Sequence, residues 1–327
     1  METTFGTPIA LSGTAYKAIE FQKGQFFDLG INKSNLQLNR SSRLLSLVDL
    51  FHDNFSGPVG YTFETYCSKD RIADFLYMVT QLKVSEGAVG TGYSKVFRMH
   101  ASQPDFTANA GAFCTMIWDS PESGKDARFT SGILRDLTLT MDKSGTGESN
   151  LVKMSGTFIF KKYEVDQTYS GTAAARNIAL AYKAHEFAMD LTFNAVGIND
   201  GQWERFSLTL ANNAIGLDKD ANGYPVTYFL NPADSLKASL EVWYTGVYTN
   251  ALTDFAAGNT VALTMTKGTV DTDGYFLISL NGKITNNPFS SGNSQLRVPI
   301  ELQLGNTTAA LTDGCTLTVA DAIDQTP

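Results

Sequence analysis

Apolar and polar residues alternate with period two along much of this 327-residue chain. Asp136-Leu137-Thr138-Leu139-Thr140-Met141 puts two leucines and a methionine on one side and threonines on the other. Thr157 to Lys161, Arg205 to Leu210, Val261 to Met265 and Tyr275 to Leu280 keep the same rhythm. Successive strand side chains point to opposite faces, so the pattern predicts strands with one face on a core and one in water. Turn residues separate them: Lys143-Ser144-Gly145-Thr146-Gly147, Asp271-Thr272-Asp273-Gly274, Asn281-Gly282 and Ser290-Ser291-Gly292-Asn293. Helical periodicity is scarce. Asp70 to Leu82 spaces Ile72, Phe75, Leu76 and Val79 along one stripe, and Ala251 to Ala257 forms a shorter counterpart that stops at Gly258. The fold class is all-β with short flanking helices.

The chain also echoes itself. Ala15-Tyr16-Lys17-Ala18-Ile19-Glu20-Phe21 returns as Ala181-Tyr182-Lys183-Ala184-His185-Glu186-Phe187, a displacement of 182 − 16 = 166. Leu29 to Asn32 answers Val196 to Asn199, and Asn35 to Asn39 answers Ser207 to Ala211. Tyr61 to Tyr66 resembles Ser239 to Tyr244, and Asp74-Phe75 matches Asp254-Phe255. Each half then holds a strand followed by a helix. Two tandem repeats are expected, 1–165 and 166–327, divided at Asp166 to Thr172. The first carries an N-terminal arm and a long excursion, 85–131, rich in Gly, Ser, Asp and Pro with no counterpart in the second. Met1 to Thr14 and Thr307 to Pro327 read as loosely tethered ends.

Composition narrows the chemistry. Net charge is −8, with 25 Lys and Arg against 33 Asp and Glu, which argues against wrapping a nucleic acid through its phosphates. Three cysteines, Cys67, Cys114 and Cys315, lie far apart with no CxxC pair, so neither a disulfide framework nor a zinc site is expected. The N-terminus lacks the basic and apolar regions of a signal peptide, and no apolar run approaches the ~20 residues needed to cross a bilayer. The expectation is a soluble protein made inside a cell, with no membrane partner. His52, His100 and His185 have no metal-ligand spacing, no serine sits in a GxSxG elbow, and no catalytic residue or cofactor is expected. Gly87 to Gly92 is glycine-rich but opens no helix, and reads as a flexible loop. Asp218, Asp220 and Asn222 place oxygen ligands at alternate positions, as calcium loops do. The twelfth position is Phe229, so an Asx-rich turn is the preferred reading. Trp118, Trp203 and Trp243 fit a core or interface more readily than a sugar platform.

The order of these elements resembles a bacteriophage tail tube protein of the long, non-contractile-tail type, in the class with a duplicated tube domain. Glu2-Thr3-Thr4-Phe5-Gly6-Thr7-Pro8 is similar to the family's N-terminal arm, and Phe63 to Leu76 to its strand-and-flanking-helix step. Leu134 to Val165 resembles the closing hairpin. Trp203 to Leu217 resembles a Ser/Leu/Thr strand ending in two asparagines, here Asn212-Asn213, and Gly258 to Leu304 the final strands. The resemblance implies β-sandwich or half-barrel repeats whose inner strands pair with neighbours to close a ring. Three chains would then make a pseudo-hexameric ring, and stacked rings a conduit for ejecting viral DNA without binding it. It also implies a virion tail component assembled in the host cytoplasm, with tape measure and tail terminator or tip proteins as partners. Glu64 and Glu241, in similar strands, are candidate lumen-lining residues, with Asp136 and Asp142 after them; a solvated outer face is the alternative. A β-rich tail-tip or adhesin-like binding module is the competing function.

Overall fold

The alternating segments become strands of one large sheet. The computed structural model describes residues 1–11, 16–17, 31–37, 50–56, 59–90, 92–99, 103–119, 124–171, 173–174, 178–193, 196–198, 203–220, 224–231, 236–243, 248–286, 297–305 and 314–322. In chain order the first half holds β1 (Tyr16–Lys17), β2 (Ile31–Gln37), β3 (Leu50–Ser56) and β4 (Val59–Tyr66). Helix α1 (Ile72–Thr80) follows, then β5 (Lys83–Val89), β6 (Gly92–Arg98), β7 (Cys114–Trp118), β8 (Asp126–Asp142), β9 (Lys153–Phe160) and β10 (Lys162–Gln167). The second half holds β11 (Ala173–Ala174), β12 (Ala188–Phe193), β13 (Val196–Ile198), β14 (Trp203–Ala211), β15 (Ile215–Lys219), β16 (Pro225–Phe229) and β17 (Lys237–Trp243). Helix α2 (Tyr248–Ala257) precedes β18 (Thr260–Lys267), β19 (Phe276–Ile284), β20 (Arg297–Leu304) and β21 (Cys315–Asp321). An all-β chain with two α-helices among the described residues is what the periodicity predicted. Neither helix is long and apolar enough to cross a membrane.

Ten strands run side by side in the order β13-β12-β18-β19-β20-β17-β14-β8-β9-β4. β7 and β10 add to β8, β21 joins β19 to β6, and β5 pairs with β6. The pairs within this sheet are antiparallel. One face packs on a core that α1 covers. Ile72, Phe75, Leu76 and Val79, the expected stripe, are all buried. Phe75 meets Phe63 of β4 and Phe158 of β9 with ring centroids 5.3 and 6.0 Å away, and those two rings are 5.2 Å apart. Full burial of one such side chain stabilises by roughly 1.5–3 kcal/mol. α1 ends where Gln81 turns left-handed at φ 59° and its N–H bonds Tyr77 O. The Gln81 side chain then donates to Ala112 O (2.9 Å) and accepts from Ala112 N (2.8 Å), tying the helix to the chain before β7.

β8 is seventeen residues long and serves two neighbourhoods. Asp126 to Thr130 pair with β10, and Ala127 to Gly132 with β7. From Ile133 onward the partners are β9 and β14. The change occurs at Ser131, a non-glycine residue at φ 52°, beside a slip in the β7–β8 register. Such a bulge bends a strand and redirects its pairing. A second slip, between Leu134 and Asp136, faces Gly156 of β9. A Cβ there would lie 2.2 Å from Asp136 O, so only glycine lets the two backbones approach.

Several expectations are corrected. Met1 to Leu11 is docked. Glu2 N–H bonds Phe113 O at 2.9 Å, and the buried Glu2 carboxylate accepts from Thr115 Oγ1, Ser131 N and Ser131 Oγ at 2.5, 2.9 and 2.7 Å. Phe5 stands 5.5–5.7 Å from the rings of Phe106, Phe113 and Tyr228. These rings, with Ile133, Ile159, Ala214 and Leu230, form a second small core. The described residues of the excursion 85–131 supply most of β5, β6, β7 and the start of β8; Gly87 to Gly90 belongs to the β5–β6 hairpin rather than a flexible loop. Within the C-terminal tail, β21 is a buried strand between β19 and β6. Asn281-Gly282 lies inside β19 instead of at a turn, where a Cβ on Gly282 would sit 2.7 Å from Gln303 O. Ser290 to Asn293 and Asn222 fall outside the described residues.

Candidate functional site

The side of the sheet away from the main core is polar across six strands. Inward residues of β8, β14 and β17 are Leu137, Leu139, Met141, Phe206, Leu208, Leu210, Ala238, Leu240 and Val242, all buried. Their neighbours face the other way and line up by register. Glu64 opposes Ser155, which opposes Thr138, then Thr209 and Lys237. A second row runs Lys153, Thr140, Ser207, Ser239, Glu301. A third runs Asp142, Arg205, Glu241, Pro299. Thr62, Thr157 and Asp136 form a fourth. Threonine hydroxyls meet directly across strands, Thr138 to Thr209 at 3.2 Å. β-branched polar residues suit this setting, since they hold strand geometry while presenting a hydroxyl to water.

All four carboxylates singled out in the sequence, Glu64, Asp136, Asp142 and Glu241, lie on this one face. The structure brings two of them together. Arg205 Nε is 3.3 Å from Asp142 Oδ2, and its Nη1 is 3.5 Å from Glu241 Oε2. Arg297 continues the ladder, 3.9 Å from Glu241 and 2.7 Å from the buried Glu204, with its guanidinium 5.0 Å from the centre of the Trp243 ring. Burial works to raise the Asp142 carboxyl, but the Ser144 hydrogen bonds and the Arg205 charge outweigh it and hold it below its usual value. Asp136 instead pairs with its neighbour Arg135 at 3.0 Å, and Glu64 stands across from Ser155. Arg205, Arg297 and Glu204 were not singled out from sequence, because which charges meet depends on cross-strand register.

Register also bears on the expected correspondence between Tyr61–Tyr66 and Ser239–Tyr244. Matching Tyr61–Tyr66 to Ser239–Tyr244 sets inward Phe63 against outward Glu241. Shifting by one residue sets Phe63 against Leu240 and Glu64 against Glu241, which restores both faces. A slip of one residue exchanges the two sides of any strand.

The face is close to neutral. It carries Glu64, Asp136, Asp142, Glu241 and Glu301 against Lys153, Arg205, Lys237 and Arg297, so the chain's negative charge is not concentrated there. Among the described residues no cluster of three His, Cys, Asp or Glu is placed to hold a metal ion. Asp220, of the calcium-like segment, closes a turn: its carboxylate accepts from Tyr224 N at 3.0 Å and its N–H bonds Tyr224 O at 2.9 Å. All three cysteines are free, and burial pushes the Cys315 thiol up to about 12, far from a reactive thiolate at neutral pH. Of the tryptophans, Trp203 is core while Trp118 and Trp243 are exposed on β7 and β17, which are not neighbours in the sheet.

The face is broad and rich in hydroxyls, with Thr, Ser and paired charges in register across six strands. The sequence profile of the phage tail tube protein family matches residues 1–304. The chain belongs to that family. No curated protein matches it. As a phage tail tube protein it is a structural, non-enzymatic component of the virion tail that self-assembles into a tube.

Proposed function

We propose that the polar face formed by β4, β9, β8, β14, β17 and β20 lines the bore, and that three chains, each with two similar halves, close a pseudo-hexameric ring. The supporting observation is a repeated pairing plan. In the first half β4 pairs β9, and β8 pairs β9 along its C-terminal part and β10 along its start. In the second half β17 pairs β20, and β19 pairs β20 near its end and β21 along its start. A helix follows the first strand of each set. The β8–β14 joint then stands between two repeats in one chain, and strand pairing between chains at the ends of the array, β4 and β13, would carry the sheet around the ring. Stacked rings form the conduit through which viral DNA is ejected. Ser and Thr hydroxyls and paired charges along its wall let the duplex slide, because no unneutralised cluster of cations holds its phosphates. Assembly in the host cytoplasm, with a tape measure protein inside and terminator and tip proteins at the ends, completes the reading.

Native mass spectrometry and negative-stain electron microscopy of the purified full chain test it. The expected result is a three-chain species seen end-on as a ring with six similar lobes around an open centre. Rings built from six chains, or no rings at any concentration, refute it.

A further inference from the structure

We infer that the outer face of the β15–β16 hairpin is a head-to-tail docking surface for a second copy of this chain in the next ring; this rests on the ring reading above. The hairpin stands apart from the main sheet, as a two-stranded unit between β14 and β17. One side anchors it. Tyr228 is buried against Phe5 and Phe106, and its hydroxyl donates to Ser131 O at 3.0 Å. The Gln103 amide donates to Tyr228 O and its carbonyl accepts from Leu230 N, at 2.7 and 2.8 Å. Two-stranded hairpins are marginal alone, and these contacts hold this one in a fixed pose.

The other side is largely apolar and partly exposed. Ile215 opposes Phe229 and Leu217 opposes Thr227, and Ile215, Leu217 and Phe229 are 53%, 38% and 43% exposed. Three large apolar side chains contiguous on one rigid face mark an interaction surface rather than scattered surface residues. The family supplies the occupant, since a tube consists of copies of one chain packed against each other. Position supplies the mode. The hairpin leaves the Ala211 end of β14, while the Trp203 end lies beside Trp243 and Arg297. A patch at one end of the strand array meets its own copy only head-to-head, which closes at two rings, whereas a tube longer than two rings needs a different surface on the partner. The patch therefore makes a heterologous contact, which repeats without closing and produces a stack. One stripe is small, so a single chain stays unstacked. A ring of three presents three stripes at once, and their combined avidity drives addition of whole rings.

The test uses the full chain as wild type and as the double variant Ile215→Ser/Phe229→Ser, compared by electron microscopy and sedimentation. Because both residues are exposed, the variant keeps its circular dichroism spectrum and its rings, and mean tube length falls at least tenfold. Ile215→Val/Phe229→Leu restores long tubes. Hydrogen exchange on wild-type protein gives a readout free of substitution: amides of 215–229 slow on passing from rings to tubes. Serine-variant tubes of wild-type length, or unchanged exchange on stacking, overturn the inference while leaving the ring reading intact. Wild-type protein that forms no rings overturns both.

Discussion

Asn212 is the residue whose loss the structure makes most legible. It ends β14 at 1% exposure. Its side-chain amide donates to Val79 O near the end of α1 (3.0 Å) and to Leu134 O of β8 (2.9 Å), while its carbonyl accepts from Ala214 N (3.1 Å). One side chain thus fastens the helix, the long strand and the entry to the β15–β16 hairpin. Val79 O is among the last helix carbonyls, which have no intrahelical donor. Asn212→Ala leaves two buried carbonyls and one buried N–H without these partners. At about 1–1.5 kcal/mol each, the lower end of the cost of leaving a buried group unsatisfied, the loss is about 3–4.5 kcal/mol. Unfolding entropy of ~2.1 cal/mol/K per residue over the chain gives about 0.7 kcal/mol/K, so the melting temperature falls by roughly 4–6 °C. Differential scanning calorimetry of unassembled protein measures this, with Asn213→Ala as the internal comparison. Asn213 is exposed and donates to Asn231 O at 2.9 Å, and its removal should shift the midpoint by less than about 1.5 °C. Equal shifts for the two variants, or a shift below about 1.5 °C for Asn212→Ala, refute the idea that buried hydrogen bonding at this position holds three elements together.

Two further outcomes are expected. Burial raises the Glu2 carboxyl above its usual value, more than the hydrogen bonds from Thr115 and Ser131 lower it. The folded chain therefore binds a proton that the unfolded chain has released, and stability declines as pH rises from the ordinary carboxylate value through the raised one. Denaturant midpoints of wild type and Glu2→Gln across pH 4 to 8 test this; the variant should lose that part of the slope, and a wild-type contribution of opposite sign refutes the assignment. At the ion ladder, Asp142→Asn/Glu241→Gln frees Arg205 from both carboxylates. Rings of the double variant should retard duplex DNA at low salt, fading between about 50 and 200 mM, where wild-type rings do not. Identical mobility in the two would refute masking of arginine on this face.

Where the sequence alternates cleanly, the strands were legible. Leu137, Leu139 and Met141, or Val261, Leu263 and Met265, face a core on one side and threonine faces water on the other, so β8 and β18 follow from local pattern. The same logic located α1 from Ile72, Phe75, Leu76 and Val79. It failed where local composition and long-range packing disagree. β5 to β7 lie in a stretch rich in Gly, Ser, Asp and Pro, and their order comes from β21 and β8 alongside. Asn281-Gly282 has the composition of a turn, yet close approach of Gln303 O requires a glycine within the strand. Of the face itself, four carboxylates were legible as strand residues. Their arginine partners depend on which strands are neighbours, a fact that no local window contains.

β21 lies last among the strands in sequence, yet it fills the seam between β19 and β6, and its Asp321 meets the fully buried Lys95 at 2.6 Å across 226 residues. A nascent polypeptide leaving the ribosome therefore carries these two ladder edges open until β21 emerges. Closing contacts so distant in sequence is slow. Chains cut before residue 315 are expected to keep both edges open to pairing with other chains.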